Sequence, residues 1–286
     1  MPQRDITPHP YRFARPAVVA LAALLALPAA LASGGRIPIH SVPLTITEPG
    51  SYYLSRDVVH SGGGEAITIA ASHVTIDFAG HTLTKQNAGN YTVALDGDYT
   101  DITIRNGRIE GGNIGIRLRN TLGADFAVLV EDMEISGALN EGIYVQGHSL
   151  VGSSQAVIRD NLIHDTGNDG ISLRFMWGGR VEGNVVQDPG QDAGDHGIYL
   201  HSCRGVTVTR NTVAYAGGDG IRVWYSWYVA VDWNHVTYNS GWGVNLFDGD
   251  RIVFSNNRAY GNGSGGFTIP VGEGHVNAGG NYPPPV

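Results

Sequence analysis

The sequence has 286 residues and a formal net charge of −8 at pH 7, which argues against a general nucleic-acid binder or a protein that coats anionic membranes. Its 41 glycines and 9% aromatic residues suit a turn-rich β protein. The sole cysteine, Cys203, excludes an intramolecular disulfide, so stability must come from packing.

The first 32 residues have the features of a secretory signal peptide. Three arginines precede an apolar run over residues 17–27, and Ala30-Leu31-Ala32 forms a small-x-small cleavage site. The run is shorter than the roughly 20 residues that a membrane-spanning helix needs. We expect cleavage near Ala32, export to the periplasm or the cell exterior, no membrane span, and one mature domain over residues 33–286.

From residue 115 onward the chain repeats a pattern of glycine, an apolar residue, any residue and a second apolar residue. The copies, 23 to 28 residues apart, begin at Gly115, Gly142, Gly170, Gly197, Gly220, Gly243 and Gly266. Repeats of this length are typical of solenoids, in which stacked copies bury a continuous apolar core. The short β runs between turn residues predict an all-β parallel β-helix of roughly nine or ten coils.

A column of asparagines repeats in phase with these glycines. Its members are Asn161, Asn184, Asn211, Asn234 and Asn257. We expect this column at a bend of each coil, where the side-chain amides form a hydrogen-bonded ladder from coil to coil. The predicted role is structural.

The first coils carry motifs that connect the chain to known proteins. They are Pro49-Gly50-Ser51-Tyr52-Tyr53-Leu54, Ala66-Ile67-Thr68-Ile69 and the run from Val74 to Leu83. Over residues 37 to about 280 the chain resembles the right-handed parallel β-helix repeat proteins, which include pectate lyases, alginate lyases, mannuronan C5-epimerases, polygalacturonases and NosD-like periplasmic proteins. The resemblance implies a single-stranded right-handed parallel β-helix. It says less about the reaction, because this fold hosts many chemistries.

Three outward-facing columns of the repeated strand concentrate groups that can do chemistry. Successive coils lie about 4.8 Å apart, so these side chains should share one patch. The candidate catalytic residues are His201, Tyr199, Arg222 and His196. The candidate substrate-binding residues are Arg174, Tyr144, Asp169, Asp195, Asp219, Trp224 and Arg119.

An imidazole beside guanidinium groups and a phenol suits the processing of a polyuronate. Arg174 or Arg222 would pair with the sugar carboxylate, which lowers the cost of removing the C5 proton. His201 would act as the base, because its usual pKa lies near neutral pH. Tyr199 would donate a proton, either to the leaving O4 in a lyase or back to C5 in an epimerase. Asp219 could orient an imidazole.

The resemblance to the mannuronan C5-epimerases and related alginate lyases is greatest between His196 and His201. This segment keeps the glycine and the final histidine of their motif. It has Tyr199 where those proteins have aspartate and Leu200 where they have proline, so the resemblance carries over the role of His201 alone.

Two alternatives belong to other functional classes. The first is hydrolysis of the polygalacturonase type, because Asp169 and Asp219 lie two coils apart, roughly 9–10 Å. That separation falls at or just past the inverting range of about 6.5–9.5 Å. The second is a non-catalytic, NosD-like periplasmic binding protein, in which His196 and His201 could hold copper.

Two features flank the predicted patch. The turn from Gln187 to Asp195 is longer than its equivalents in the next two coils, so it could wall a cleft, and its acids could bind Ca²⁺. An aromatic group comprises Phe175, Trp177, Trp224, Tyr225, Trp227 and Tyr228. Such faces stack on sugars or arginines, or pack a corner. No cofactor other than this Ca²⁺ is indicated, and the expected partner is an acidic polysaccharide bound by a monomer.

Overall fold

The computed structural model describes residues 35–87, 89–123, 125–149, 153–269 and 274–283. The predicted signal peptide lies outside these ranges. Within them the chain forms 28 β-strands and no helix, so no described segment is a helix that could cross a membrane. The strands are β1 (Arg36–Ile39), β2 (Leu44–Ile46), β3 (Gly50–Leu54), β4 (Val58–His60), β5 (Ile67–Ile69), β6 (Val74–Asp77), β7 (Thr82–Lys85), β8 (Val93–Asp96), β9 (Ile102–Gly111), β10 (Ile116–Arg119), β11 (Phe126–Ser136), β12 (Ile143–Gln146), β13 (Ser154–Arg159), β14 (Leu162–Thr166), β15 (Ile171–Arg174), β16 (Gly179–Glu182), β17 (Val185–Pro189), β18 (Ile198–His201), β19 (Val206–Thr209), β20 (Thr212–Ala214), β21 (Ile221–Trp224), β22 (Ala230–Asp232), β23 (His235–Thr237), β24 (Trp242–Phe247), β25 (Val253–Ser255), β26 (Arg258–Tyr260), β27 (Gly265–Thr268) and β28 (Val276–Asn277).

The strands stack in parallel as a β-solenoid of about nine turns, which confirms the predicted fold class. Ten strands form one sheet, called the site sheet below, in the order β2-β5-β8-β10-β12-β15-β18-β21-β24-β27. The other strands of each coil form a second, 18-stranded sheet. Its two faces are joined because β9 and β11 run continuously past a corner.

The core runs along the inside of the solenoid and consists of the apolar positions of the repeat. In the central coils Ile171, Leu173, Ile198 and Leu200 are 0% exposed. Side chains alternate along a strand, so the residue between each apolar pair is directed away from this core. The pattern seen in the sequence therefore sets the inside and the outside of the site sheet.

The repeated glycine is required by close packing at the entry to each site strand. A Cβ atom built on Gly197 would lie 2.1 Å from Cγ1 of Val213 and 2.5 Å from the carbonyl oxygen of Gly220. Any side chain there would force the backbones of neighbouring coils apart. The glycine thus fixes the start of the strand and, with it, the register of the outward residues.

The asparagine column forms the predicted ladder. Asn184 Nδ2 donates to Oδ1 of Asn211 at 3.0 Å, and Asn211 Nδ2 donates to Oδ1 of Asn234 at 2.9 Å. The same bond joins Asn161 to Asn184 and Asn234 to Asn257. These side chains also bond buried backbone groups at the bend, so the ladder satisfies polar groups that water does not reach.

Candidate active site

The site sheet brings the predicted columns into register. One outward column contains Arg117, Tyr144, Ser172, Tyr199, Arg222 and Asn245 on successive coils. The next outward column contains Arg119, Gln146, Arg174, His201, Trp224 and Phe247. Because neighbouring strands lie about 4.8 Å apart, side chains from different repeats meet on one surface.

The residues immediately before the glycines, which the sequence predicts to face outward, are buried instead and accept hydrogen bonds from backbone amides. Asp169 Oδ1 accepts the N–H of His196 at 2.8 Å, and His196 Nδ1 accepts the N–H of Asp219 at 3.0 Å. Asp219 Oδ1 in turn accepts the N–H of Trp242 at 2.7 Å. We call Asp169, His196 and Asp219 the capping column, because each side chain accepts a backbone N–H at the corner of the next coil.

This bonding fixes the tautomer of His196. An imidazole nitrogen that accepts from an amide carries no proton, so the neutral ring holds its proton on Nε2. Burial lowers the pKa of His196 to about 4, an effect that the nearby Asp219 carboxylate partly offsets. The sequence suggests that this carboxylate orients an imidazole, but its Oδ2 atom is 3.9 Å from Nδ1, and the backbone amide orients the ring instead.

The Asp219 carboxylate is satisfied by other groups. Its Oδ2 atom accepts from Nδ2 of Asn245 at 2.7 Å and lies 3.4 Å from Nη1 of Arg222. The carboxylate of Asp169 has fewer partners, and burial raises its pKa to about 7, with a smaller contribution from Glu141. Burial therefore favours the protonated form of the Asp169 carboxyl well above the pH at which a carboxyl group normally ionises.

His201 lies at the centre of the outward face. Its ring centre is 5.9 Å from that of Tyr199, with the planes only 8° apart, and 5.2 Å from that of Trp224. The guanidinium carbon of Arg174 lies 5.6 Å from the centre of the Tyr199 ring. We call Arg174, Tyr199, His201, Arg222 and Trp224 the His201 patch, and the structure places all five side chains together.

The surroundings hold His201 neutral and Tyr199 protonated. Partial burial, followed by the charge of Arg174, lowers the pKa of the His201 imidazole below its usual value. Burial raises the pKa of Tyr199 to about 12. At neutral pH the patch therefore contains an unprotonated imidazole beside a protonated phenol, a base and an acid on the same strand.

The two arginines of the patch differ in their partners. Arg222 forms an ion pair with the buried Asp219, and its guanidinium carbon lies 5.0 Å from the centre of the Trp224 ring. Arg174 packs against the faces of Tyr144 and Tyr199 and donates a long hydrogen bond, 3.5 Å, to Oγ of Ser172. No carboxylate of the described residues pairs with Arg174, so its guanidinium is available to an anionic ligand.

The other predicted binding residues lie further from His201. Arg119 is two coils away from Arg174 in the same column, with Nε 3.8 Å from Oδ1 of Asp96. Tyr144 donates to Oε1 of Gln146 and lies under Arg174. Asp195 accepts the N–H of Asp192 at 2.8 Å and closes the long turn. Within the described ranges, no group of three His, Cys, Asp or Glu side chains is placed to hold a metal ion. This applies also to the acidic residues of the long turn, which the sequence suggests as Ca²⁺ ligands.

A cavity of about 550 Å³ adjoins the patch beyond the ends of the site strands. It is lined by Ser149, Phe175, Trp177, Ser202, Arg204, Trp227 and Tyr228. The sequence indicates the aromatic residues of this corner but gives no reason to select Arg204. Its guanidinium lies between Trp177 and Tyr228, a position that depends on the path of the turns and not on the repeat pattern.

Comparison with solved structures shows the same fold in proteins of distant sequence. The enzymatically active domain of tailspike protein 2 from bacteriophage CBA120 matches with a TM-score of 0.60 and 14% identity, covering 88% of this chain and 42% of the tailspike chain. The chain thus spans under half the length of that domain. A periplasmic alginate epimerase, AlgG, matches with a TM-score of 0.56 and 12% identity, and the match covers 84% of this chain and 75% of the AlgG chain.

Comparison with curated proteins found no match. The family model described as the right handed beta helix region matches residues 46–192 and 175–277, which is most of the chain. The chain therefore belongs to the right-handed β-helix family.

Proposed function

We propose that this chain is an exported enzyme that acts on an acidic polysaccharide, as a polyuronate lyase or C5-epimerase, with His201 as the base. One observation carries the proposal. His201 and Arg174 lie side by side on neighbouring strands in one outward column. The pKa of His201 is lowered, and Arg174 has no carboxylate partner among the described residues. A base and an unpaired cation one strand apart suit a substrate that carries a carboxylate next to an acidic C–H bond.

The reaction begins with the binding of the uronate carboxylate by Arg174. Pairing with the guanidinium withdraws charge from the carboxylate, which makes the C5 proton more acidic. The Nε2 or Nδ1 lone pair of neutral His201 then takes this proton. The electrons of the C5–H bond form a double bond between C4 and C5 while the bond from C4 to O4 breaks.

Tyr199 supplies the proton that completes the reaction. With a pKa of about 12 it is fully protonated at neutral pH, so it donates to O4 as that oxygen leaves. In an epimerase the same phenol would return a proton to C5 on the opposite face, and the bond to O4 would stay intact. Tyr199 replaces the aspartate of the epimerases that this segment resembles, so we place elimination first.

Three further residues hold the catalytic side chains in position: Arg222, Asp219 and His196. The Asp219 carboxylate holds Arg222 beside Trp224, and the Nε2–H tautomer of His196 leaves a donor near Tyr199, whose ring centre is 5.4 Å away. Here His196 keeps a hydrogen-bond donor in the site and takes no proton from the substrate.

The proposal is tested by incubating the full mature chain with polymannuronate, polyguluronate and polygalacturonate, with and without Ca²⁺. A lyase produces unsaturated ends that absorb in the ultraviolet, and an epimerase exchanges the C5 hydrogen with solvent without cleaving the chain. His201→Ala should abolish either activity, whereas His235→Ala, which alters an exposed histidine on the other sheet, should leave it unchanged. Equal activity of the His201 variant and the wild type would refute the assignment.

A hydrolase is the second candidate, and the raised pKa of Asp169 is the observation that favours it. A carboxyl group that titrates near pH 7 can act as a general acid, with Asp219 in the same column as the second carboxylate. Hydrolysis would release reducing ends without ultraviolet absorbance and would be lost in Asp169→Asn. Both carboxylates already accept backbone amides, so the geometry favours the mechanism through His201.

A further inference from the structure

The cavity around Arg204 is built from three successive coils. Trp177, Arg204 and Trp227 occupy equivalent corners, and their backbones are joined by amide hydrogen bonds from Arg204 to Met176 and from Trp227 to Cys203. The guanidinium carbon of Arg204 lies 5.5 Å from the centre of the Trp177 ring and 4.9 Å from that of Tyr228. The two aromatic faces therefore hold the guanidinium in one place.

The charge of Arg204 is not neutralised by the protein. Within the described residues Arg204 has no ion-pair partner, while the nearby Asp250 pairs with Arg251 at 3.4 Å. Arg251 contacts the hydroxyl of Tyr228, but its charge is already balanced by that carboxylate, so among the described residues that line the cavity Arg204 is the cation left without a counter-ion. A chain with a net negative charge thus presents a local cationic site.

The aromatic side chains of the cavity are open to solvent. Trp177, Trp227 and Tyr228 are 40%, 42% and 44% exposed, although aromatic residues of this size are normally covered. Flat, exposed aromatic faces bind the apolar face of a sugar ring, and a guanidinium with free N–H groups binds a carboxylate with two hydrogen bonds. The volume of about 550 Å³ is within the range of small-ligand sites.

The cavity adjoins the His201 patch. Phe175, which lines it, follows Arg174 in the chain, and its ring centre is 5.8 Å from that of His201. Ser202 follows His201 itself. A polymer bound across the site strands at His201 would therefore place one of its neighbouring sugars against Arg204.

We propose that the Arg204 cavity is a subsite for an anionic sugar, which holds the carboxylate of a uronate unit beside the one that reacts. This inference rests on the proposed function for its ligand class. Arg204 supplies the carboxylate contact, Trp177 and Trp227 supply stacking surfaces, and Tyr228 positions the guanidinium. The subsite would set the direction and register of the polymer over His201.

Isothermal titration calorimetry with uronate tetrasaccharides of the three kinds named above tests this directly, with neutral cellotetraose as the control ligand. We expect the wild type to bind at least one uronate tetrasaccharide. Arg204→Gln and Trp177→Ala should each weaken that binding at least tenfold and leave the melting temperature unchanged, because both side chains are exposed. Arg180→Gln, which removes the same charge from an exposed site on the other sheet, should bind like the wild type.

The outcomes separate this inference from the proposed reaction. Binding that depends on Arg204 without any product would support the subsite and refute catalysis by His201. Product formation that depends on His201, with unchanged affinity in Arg204→Gln, would overturn the subsite alone. Failure of the wild type to bind any of the three tetrasaccharides, or equal binding of cellotetraose, would also overturn it.

Discussion

The substitution Asp169→Asn should stabilise the protein above neutral pH and leave its stability at pH 4 unchanged. Asparagine keeps an oxygen in the place of Oδ1, so the bond from the His196 amide is preserved. It removes only the ionisable carboxyl, whose pKa is raised to about 7 by burial in the capping column. The comparison thus isolates the free energy of ionising one buried group.

The sign and size follow from linkage. The pKa of Asp169 is near 4 in the unfolded chain and about 7 in the folded chain. Between these two pH values the unfolded chain binds fewer protons than the folded chain. The free energy of unfolding of the wild type therefore falls as the pH rises from 4 to 7. A difference of about 3 pKa units corresponds to at most about 4 kcal/mol at 1.36 kcal/mol per unit. That amounts to a shift in melting temperature of roughly 10 °C for a chain of this size.

Thermal melts followed by circular dichroism between pH 4 and pH 9 measure this effect. The wild type should lose stability relative to Asp169→Asn between pH 4 and about pH 7 and stay below it by a constant amount up to pH 9, with the two curves converging at pH 4. His196→Asn is a control with the opposite pH dependence. Because the pKa of His196 is lowered to about 4, burial of this imidazole destabilises the wild type only below about pH 6.5. Parallel melting curves for the wild type and Asp169→Asn would refute the assigned burial of the carboxyl.

Three further predictions follow from the ladder and the patch. Asn211→Ala removes four side-chain hydrogen bonds and should lower the free energy of unfolding by about 4 kcal/mol, measured by urea titration. Arg174→Ala should reduce kcat/KM at least a hundredfold without changing the melting temperature. Arg222→Ala should lower both kcat/KM and the melting temperature, because this substitution leaves the buried Asp219 carboxylate without its cation. The pH profile of kcat/KM should have its acid limb below the usual imidazole pKa of about 6.5, since partial burial and the charge of Arg174 lower the pKa of the His201 base.

The fold and two of the three predicted outward columns follow from the sequence because the physical constraints on a stacked coil are local. The glycine of each repeat fixes where a strand starts, and the alternating apolar residues decide which side chains face outward. The repeat pattern by itself therefore places residues as distant in sequence as Arg174 and Arg222 beside His201. The asparagine ladder is predictable for the same reason, since its spacing matches that of the glycines.

The corners could not be predicted in this way. Whether Asp169 or His196 faces solvent or accepts a backbone amide depends on how the chain turns before the strand, and the repeat pattern does not encode this turn. The residues that leave the site strands, such as Phe175 and Tyr225, adopt left-handed backbone conformations with φ of 54° and 46°, which redirect the following side chains. The cavity around Arg204 forms at this corner, so the sequence pattern does not reveal it.

The central claim, that His201 removes the proton from C5, is tested most directly with a polyuronate labelled with deuterium at C5. Mass spectrometry of the product reports loss of the label to solvent in both elimination and epimerisation. The wild type should release the label, and His201→Ala should release none while retaining the affinity of the wild type for the polymer. Turnover with full retention of the C5 label, or equal release by His201→Ala, would contradict the claim.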